Sequence, residues 1–351
     1  MTENVVPLPL QDEARVQRIH KEIKIFDGLA THWIDKEYIK LLKETGVNAV
    51  HYTVAACTLI NGKNLEDNFV TTCRHIGRWN RIMEENSEDI ELATSIASME
   101  DIWSRGKIAI FYGFQNGSPI EDNLDYLKLF YQMGVRFMML TYNIRNFIGS
   151  GGGESRDTGL SDFGVKVVKE MNKLGMCVDI SHCGEKTSWE AIDVSDAPCV
   201  LTHANPIALA PTPRNVSDEL VKFCVSKGGV VGPKHMIGDM VNKPCEETTV
   251  EDYVDMIDHY VNLVGIDNVT LGTDFVGTIT GRAEAVAQIE AIRAMSPKAY
   301  VGKRVNPQGF ESIDGLYNVT RSLVKRGYSD QDIEKIYSKN LMRVLREIFR
   351  G

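Results

Sequence analysis

The chain has 351 residues, of which 43% are hydrophobic and 25% are charged, with 29 Gly and 11 Pro. This composition is typical of a packed globular protein, and the length suits one large domain spanning residues 1–351. A formal net charge of -9 argues against a general nucleic-acid or anionic-membrane surface, because both need a basic patch. We therefore expect a small-molecule partner, no nucleic acid and no membrane.

The cysteines and the N-terminal segment indicate the cellular compartment of the protein. The 7 Cys contain no CxxC pair, and Cys177 and Cys199 fall inside apolar runs that are typical of buried strands. No apolar run reaches about 18 residues, and the N-terminal segment has no uninterrupted apolar stretch that would mark a signal peptide. These features predict a cytoplasmic protein with reduced thiols.

Short β-branched runs alternate with helical patterns from about residue 23 to residue 275. Their continuous hydrophobic character fits parallel strands buried on both faces, and eight βα units predict a TIM-type (β/α)8 barrel. A ninth run, 90–95, is interpreted as an extra strand outside the barrel. A doubly wound open sheet is the alternative, but no Gly-rich phosphate loop follows the first run. The predicted barrel strands are 23–27, 47–54, 107–114, 135–142, 176–182, 198–203, 229–235 and 268–274.

Helical periodicity fills the intervening segments and the C-terminal part of the chain. Two patterns after the last strand predict helices that pack on the barrel as a C-terminal elaboration. The glycines at 149–153 directly follow the fourth predicted strand and indicate a surface loop, with a lid as the alternative. The predicted helices lie at 35–45, 123–133, 161–174, 216–227, 250–264, 312–325 and 330–349.

Polar residues close several of the apolar runs, and in a barrel the catalytic groups lie at these C-terminal strand ends. His182 and His203 end consecutive strands in the same way, so both imidazoles should face one mouth. Imidazole suits Zn²⁺, and Asp274 on another strand would complete a His/His/Asp set. The full group of polar residues at strand ends is Gln115, Tyr142, Asn143, His182, His203, Lys234, His235 and Asp274.

The chain resembles the membrane or renal dipeptidases, metal-dependent barrel peptidases of the amidohydrolase superfamily. The resemblance covers nearly the whole chain and implies that His182 and His203 correspond to the two histidines on one of two zinc ions. Asp274 matches an aspartate that ligates the other zinc and can take a proton from the attacking water, and Arg214 matches the residue that contacts the substrate carboxylate. The resemblance also admits a homodimer. The motifs that carry it include LTYN at 140–143, GLSDFG at 159–164, VDISH at 178–182, TH at 202–203, PRN at 213–215 and GTDF at 272–275.

Four positions depart from the family pattern, and all four fall at the site. Leu29 and Thr31 stand where the family has a His-x-Asp pair, Gln115 stands at the bridging glutamate, and Tyr142 replaces the histidine of Leu-Thr-His-Asn. Two dications about 3.5 Å apart repel strongly unless anionic ligands surround them, and these changes remove most of that charge. We therefore expect at most one tightly bound metal, zinc or another divalent ion. His32 is a weaker candidate for a replacement ligand.

The expected function is hydrolysis of a C–N (amide or peptide) bond in a small substrate that carries a carboxylate. The metal ligands are predicted to be His182 and His203, with Gln115 or Asp274 as a further ligand. Asp274 is otherwise the general base, and Tyr142 is the donor to the developing oxyanion. The predicted substrate-binding residues are Arg214, Asn143 and His235. Two alternatives stay open: a lyase, deaminase or isomerase acting on a modified amino acid, and a small-ligand-binding protein without catalysis.

Overall fold

Parallel strands form the centre of the fold. The structure is a computed structural model and describes residues 6–31, 34–55, 57–60, 63–66, 68–235, 240, 243–275 and 306–349. Five strands pair in the order β1-β2-β6-β7-β8, and every one of these pairs is parallel. The strands are β1 Ile25–Ala30, β2 Val47–Ala55, β3 Cys57–Ile60, β4 Lys63–Glu66, β5 Ile90–Leu92, β6 Ile108–Phe114, β7 Val135–Met139 and β8 Cys177–Asp179.

Three extended segments close these five strands into the predicted eight-membered barrel. Parallel bridges run from Asp179 to Val200, from Leu201 to Val231, from Val231 to Val269, and from Phe275 back to Ala30. Backbone hydrogen bonds follow the same path; for example, the Ile180 N–H donates to Val200 O at 2.9 Å and the Gly28 N–H donates to Leu271 O at 2.9 Å. The barrel prediction is confirmed, although the last three members meet their neighbours through isolated bridges and not through long ladders.

The first strand and the segment after the second differ from the sequence prediction. The first strand begins at Ile25, not at residue 23, because the preceding helix, Leu10–Glu22, continues to Glu22 and Ile23 caps that helix with extended backbone. β5 pairs with the first half of β6, and β7 pairs with the second half of β6. β5 therefore lies beside the barrel, as expected. The antiparallel hairpin of β3 and β4 was not predicted.

Helices follow the strands and lie close to the predicted ranges. Local chemistry sets their ends: the Ser161 hydroxyl accepts the Gly164 N–H at the beginning of α6, and Gly175, with φ 77°, ends that helix. The helices are α1 Leu10–Glu22, α2 Lys36–Thr45, α3 Phe69–Glu85, α4 Ile96–Ser104, α5 Leu124–Gln132, α6 Asp162–Leu174, α7 Glu185–Val194, α8 Asp218–Ser226, α9 Val250–Val264, α10 Leu316–Lys325, α11 Asp330–Glu334 and α12 Asn340–Ile348, with a π-helical turn at Lys335–Lys339. Among the described helices, none is long and apolar enough to cross a membrane.

The C-terminal helices close the end of the barrel opposite the strand ends that carry the predicted site. The Phe349 ring lies 5.7 Å from the rings of both Phe111 and Phe137, and Phe26 stacks on Phe111 at 5.5 Å. These rings contact one another from the start of β1 and the middle of β6 and β7, and they are buried together with Leu341 of α12. The opposite end of the barrel, where the strands finish, is the end left to form a binding mouth.

Candidate active site

Strained backbone concentrates at the barrel mouth. In the described residues four non-glycine positions have a positive φ, and three of them are predicted site residues: Asn143 at 61°, His182 at 65° and Asp274 at 52°. The fourth is Glu121. A non-glycine residue in this region costs about 1–3 kcal/mol and persists where the surrounding structure requires it. The mouth is thus the place where the fold tolerates strain to direct particular side chains.

His182 is held in one orientation by its neighbours. The residue is 6% exposed, and its Nδ1–H donates to Oδ1 of Asn143 at 2.8 Å. The Tyr142 ring stacks on the imidazole with ring centroids 4.3 Å apart. With Nδ1 used as a donor, the Nε2 lone pair is left buried and without a partner among the described residues.

His203 is held in the same tautomer by a buried relay. Asp179 accepts the Thr202 hydroxyl hydrogen, so the oxygen of that hydroxyl accepts from Nδ1–H of His203 at 2.8 Å. Burial raises the pKa of Asp179, against the hydrogen bonds from Thr202 and Ser181. Asp179 therefore lies behind the ring as a positioning group, and the Nε2 lone pair of His203 is also buried without a partner in the described chain.

The two imidazoles fit two positions on a single metal ion. Their ring centroids lie 5.0 Å apart, and zinc–nitrogen bonds of about 2.0–2.1 Å in tetrahedral geometry place two such centroids about 5 Å apart. Burial lowers the pKa of both rings well below the usual range, and the charges of Arg214 and Lys234 lower it further. Both rings are consequently neutral near pH 7, which is the form that binds a metal.

Arg214 lies directly beside His203. Its Nη2 donates to the backbone oxygen of His203 at 2.8 Å, while Nε and Nη1 are buried and have no partner among the described residues. Nη2 carries a second hydrogen, and each of the two unpaired donors shares an edge of the planar guanidinium with Nη2. Such an edge can give two parallel N–H donors to the two oxygens of a carboxylate. The chain therefore presents an anion-binding group next to the two imidazoles.

The glycine-rich segment 149–153 packs onto this cluster and is not a plain surface loop. The Gly152 N–H donates to the His182 oxygen at 2.8 Å, and Gly151 pairs with Cys183. A Cβ on Gly151 would lie 2.3 Å from the carbonyl carbon of Asn143, so only glycine permits this approach. The segment helps to fix the Asn143 and His182 backbones in their left-handed conformations.

The remaining predicted residues lie at neighbouring strand ends. Gln115 is 2% exposed and donates from Nε2 to the Thr53 hydroxyl at 3.0 Å. Asp274 is buried, and its N–H donates to Leu29 O at 3.0 Å. The Nδ1–H of His235 donates to the Thr273 oxygen, and its ring stacks on Phe275 at 4.8 Å. Burial lowers the pKa of His235 to about 4. His32, the weaker candidate ligand, lies outside the described residues.

The described His, Cys, Asp and Glu side chains do not form a complete set of metal ligands by themselves. Within the described ranges, no group of three or more His, Cys, Asp or Glu side chains is arranged to hold a metal ion. Leu29 is fully buried, and the Thr31 hydroxyl donates to Phe275 O at 2.9 Å, so neither replaces the family's His-x-Asp pair. Among the described residues, the imidazoles of His182 and His203 offer two positions for one ion.

Lys234 is the residue whose importance the sequence alone did not reveal. It is 1% exposed at the end of the seventh barrel segment, and its N–H donates to Oδ1 of Asn205 at 2.8 Å. Its position after an apolar run that ends in Gly-Pro was the available signal.

The barrel and its paired histidines define the class of α/β-barrel metallohydrolases. The chain belongs to the membrane dipeptidase family (peptidase family M19), whose sequence profile it matches over residues 13–294 and 297–350. The resemblance stated from the motifs is thereby confirmed, and so is the prediction of a hydrolase-family chain.

Individual relatives agree with this assignment. The chain is 32% identical over 279 residues to dipeptidase tcpJ of Claviceps purpurea, covering 79% of this chain and 60% of that protein. It is 30% identical to uncharacterized dipeptidase C965.12 of Schizosaccharomyces pombe, over 69% of this chain and 53% of that protein. The chain thus spans less than two thirds of the length of these two relatives.

Solved structures give the same fold. An amidohydrolase from Pseudomonas aeruginosa superposes with a TM-score of 0.84 at 32% identity, over 95% of this chain and 99% of that chain. A metallo peptidase from Rhodobacter sphaeroides, liganded with a phosphinate mimic of the dipeptide L-Ala-D-Ala, superposes with a TM-score of 0.78 at 19% identity, over 93% of this chain and 99% of that chain. The second likeness bears on the fold alone.

Proposed function

We propose that the chain is a metal-dependent hydrolase of the dipeptidase type that cleaves the C–N bond of a small, carboxylate-bearing amide. The observation that carries the proposal is the pair of buried, unpaired donors Nε and Nη1 of Arg214 beside two neutral imidazoles with open Nε2 atoms. Membership of the membrane dipeptidase family supports the reaction class. Family membership leaves the substrate open, whereas the arginine favours a carboxylate.

Substrate binding is assigned to Arg214, with Asn143 and His235 as further contacts. Two parallel N–H donors on Arg214 fix both the position and the plane of a carboxylate, which a lysine ammonium would not do. The bond from Nη2 to the His203 backbone holds the guanidinium in place before the substrate arrives. The scissile bond of a short substrate gripped there lies close to His182 and His203.

One metal ion, zinc or another divalent cation, fits this site, with His182 and His203 as ligands and Gln115 or Asp274 as a further ligand. Such an ion supplies a polarised carbonyl and a bound water of lowered pKa. The histidines contribute fixed tautomers: each uses Nδ1 as a donor, so that its Nε2 lone pair faces the mouth. Removing Asp179 or Asn143 would release this restraint without removing a ligand.

Proton transfer is assigned to Asp274 and charge stabilisation to Tyr142. Asp274 takes a proton from water as the water oxygen bonds to the carbonyl carbon, and the Tyr142 hydroxyl donates to the resulting oxyanion. Collapse of this intermediate breaks the C–N bond, and the departing nitrogen takes the proton. Stacking of Tyr142 on His182 holds the phenol ring beside the reacting centre.

The test is a substrate panel run with a histidine variant. The wild-type protein, loaded with zinc, is assayed against dipeptides and against non-peptide amino-acid derivatives. His203→Ala should lose both zinc retention and turnover, whereas His259→Gln, which alters a histidine paired with Asp218 on α8, should lose neither. Full activity of His203→Ala would overturn the proposal, and turnover of the derivatives alone would favour the lyase, deaminase or isomerase alternative.

We also propose a cytoplasmic location and a homodimer. Five cysteines, Cys73, Cys177, Cys183, Cys199 and Cys224, are free thiols, and four of them are buried, which supports a reducing, cytoplasmic location. A homodimer is retained as a proposal from the family resemblance. Analytical ultracentrifugation tests it, and a purely monomeric protein would contradict it.

A further inference from the structure

Lys234 is a buried cation that the proposed reaction does not yet use. A lysine side chain is rarely buried, because its ammonium loses the stabilisation it has in water. Here the residue is 1% exposed, and its backbone is fixed on both sides. Its own N–H donates to Asn205, two residues beyond His203, and the N–H of the following residue, His235, donates to the Thr273 oxygen at 3.2 Å.

These two anchors place Lys234 between the strand ends that carry His203 and Asp274. The seventh barrel segment, to which it belongs, pairs with both flanking segments through Val231. His235, the next residue, is buried at the same strand end. The lysine is therefore a buried cation at the mouth, between the strand ends that carry His203 and Asp274.

We propose that Lys234 is a catalytic residue whose ammonium stands in for a second metal cation at the substrate's carbonyl oxygen. The inference rests on the proposed hydrolysis and adds a group to it. The family resemblance implies two cations, whereas this chain has Leu29, Thr31 and Gln115 at the positions that would ligate the second one. A fixed ammonium restores one positive charge there without needing anionic ligands around it.

The chemical step is simple and keeps the lysine protonated throughout. As the water oxygen bonds to the carbonyl carbon, the carbonyl π electrons move onto oxygen, and a Lys234 N–H donates to that oxyanion. When the intermediate collapses, the electron pair returns, the C–N bond breaks, and the nitrogen leaves with the proton taken from water. An ammonium in a water-poor site stabilises such a charge far better than it would in solution.

The same fixed charge should oppose metal binding at His182 and His203. Zinc affinity of the metal-free protein is therefore a readout that does not depend on turnover, and it can be measured by competition with a chromophoric chelator. Lys234→Met keeps most of the side-chain length and removes the charge. This variant should bind zinc at least tenfold more tightly, and its kcat should fall at least a hundredfold. Lys234→Arg should keep wild-type zinc affinity and recover part of kcat.

Lys222→Met, an exposed lysine on α8, is the matched control and should change neither quantity. Circular dichroism checks the fold of each variant, and Lys234→Gln replaces the methionine variant if that one does not fold. Unchanged zinc affinity and kcat in the neutral variant that folds would overturn the inference while leaving the proposed hydrolysis intact. If the wild type hydrolyses no amide, the proposed function fails, and the zinc titration alone decides whether the Lys234 charge acts on the site.

Discussion

Replacing Arg214 by methionine removes the guanidinium and keeps most of the side-chain volume. In the folded protein this deletes one hydrogen bond, from Nη2 to the His203 oxygen at 2.8 Å, and the two unpaired donors Nε and Nη1. A hydrogen bond to a charged group contributes about 1.5–3 kcal/mol. Loss of both bonds to a substrate carboxylate should therefore cost about 3–6 kcal/mol, or about 10²–10⁴-fold in kcat/KM.

The assay compares kcat/KM of wild type, Arg214→Met and Arg214→Lys on the best substrate of the panel and on its carboxamide analogue. Arg214→Lys keeps the charge but not the planar pair of donors, so its loss should be smaller than that of the methionine variant. The carboxamide analogue should already be a poor substrate for wild type and should lose little more in Arg214→Met.

A second, independent readout comes from the histidines. The pKa of His182 and of His203 is lowered first by burial and then by the Arg214 charge. Both values should rise in Arg214→Met, as measured by NMR titration of the metal-free protein. The reasoning would be refuted if Arg214→Met kept kcat/KM within threefold of wild type on the carboxylate substrate.

Three further predictions concern the supporting structure. Asp179→Asn should weaken zinc binding by about 10–100-fold, because the Thr202 hydroxyl no longer fixes the His203 tautomer; unchanged affinity in a chelator competition would contradict this. Burial lowers the pKa of His20 from 6.5 to about 4, so His20 binds a proton more readily in the unfolded chain. The free energy of unfolding should therefore fall by up to about 3 kcal/mol as the pH is lowered from about 6.5 to about 4. Urea titrations across that range should show a shallower fall in His20→Asn, and an equal fall would count against the assignment. Gly113→Ala should destabilise the barrel by about 1–3 kcal/mol or more, because its Cβ would lie 1.9 Å from His51 Nε2, whereas Gly77→Ala in α3, with nothing within 4 Å, should not destabilise; equal melting temperatures would refute this packing argument.

The fold was predictable from the sequence because periodicity carries most of its information. The helical pattern at 161–174 and the observed α6 agree within one residue, since a serine cap and a terminal glycine bound the helix. The hairpin of β3 and β4 was missed because its residues belong to no βα repeat. The last three barrel members were predicted as strands, yet they pair only at isolated bridges, which hydrophobicity cannot distinguish from a full ladder.

The sequence predicts which residues lie at the mouth of the barrel, but it does not predict their contacts there. The strand-end rule selected His182 and His203, and the structure places their rings 5.0 Å apart. Their shared tautomer depends on Asn143 and Thr202, contacts that no sequence pattern reveals. The left-handed backbone at Asp274 was equally hidden. Aspartate adopts a positive φ more often than most residues do, but only at a small minority of positions, so its identity alone does not predict one.

The number of metal ions bound per chain decides whether the site holds one ion or two. We propose that His182 and His203 form a site for one ion, and that Leu29, Thr31 and Gln115 leave no second site. The protein should be purified, saturated with zinc, freed of excess metal by gel filtration and analysed by elemental mass spectrometry. We predict one equivalent of zinc per chain, lost in His203→Ala; two tightly bound equivalents would contradict the account.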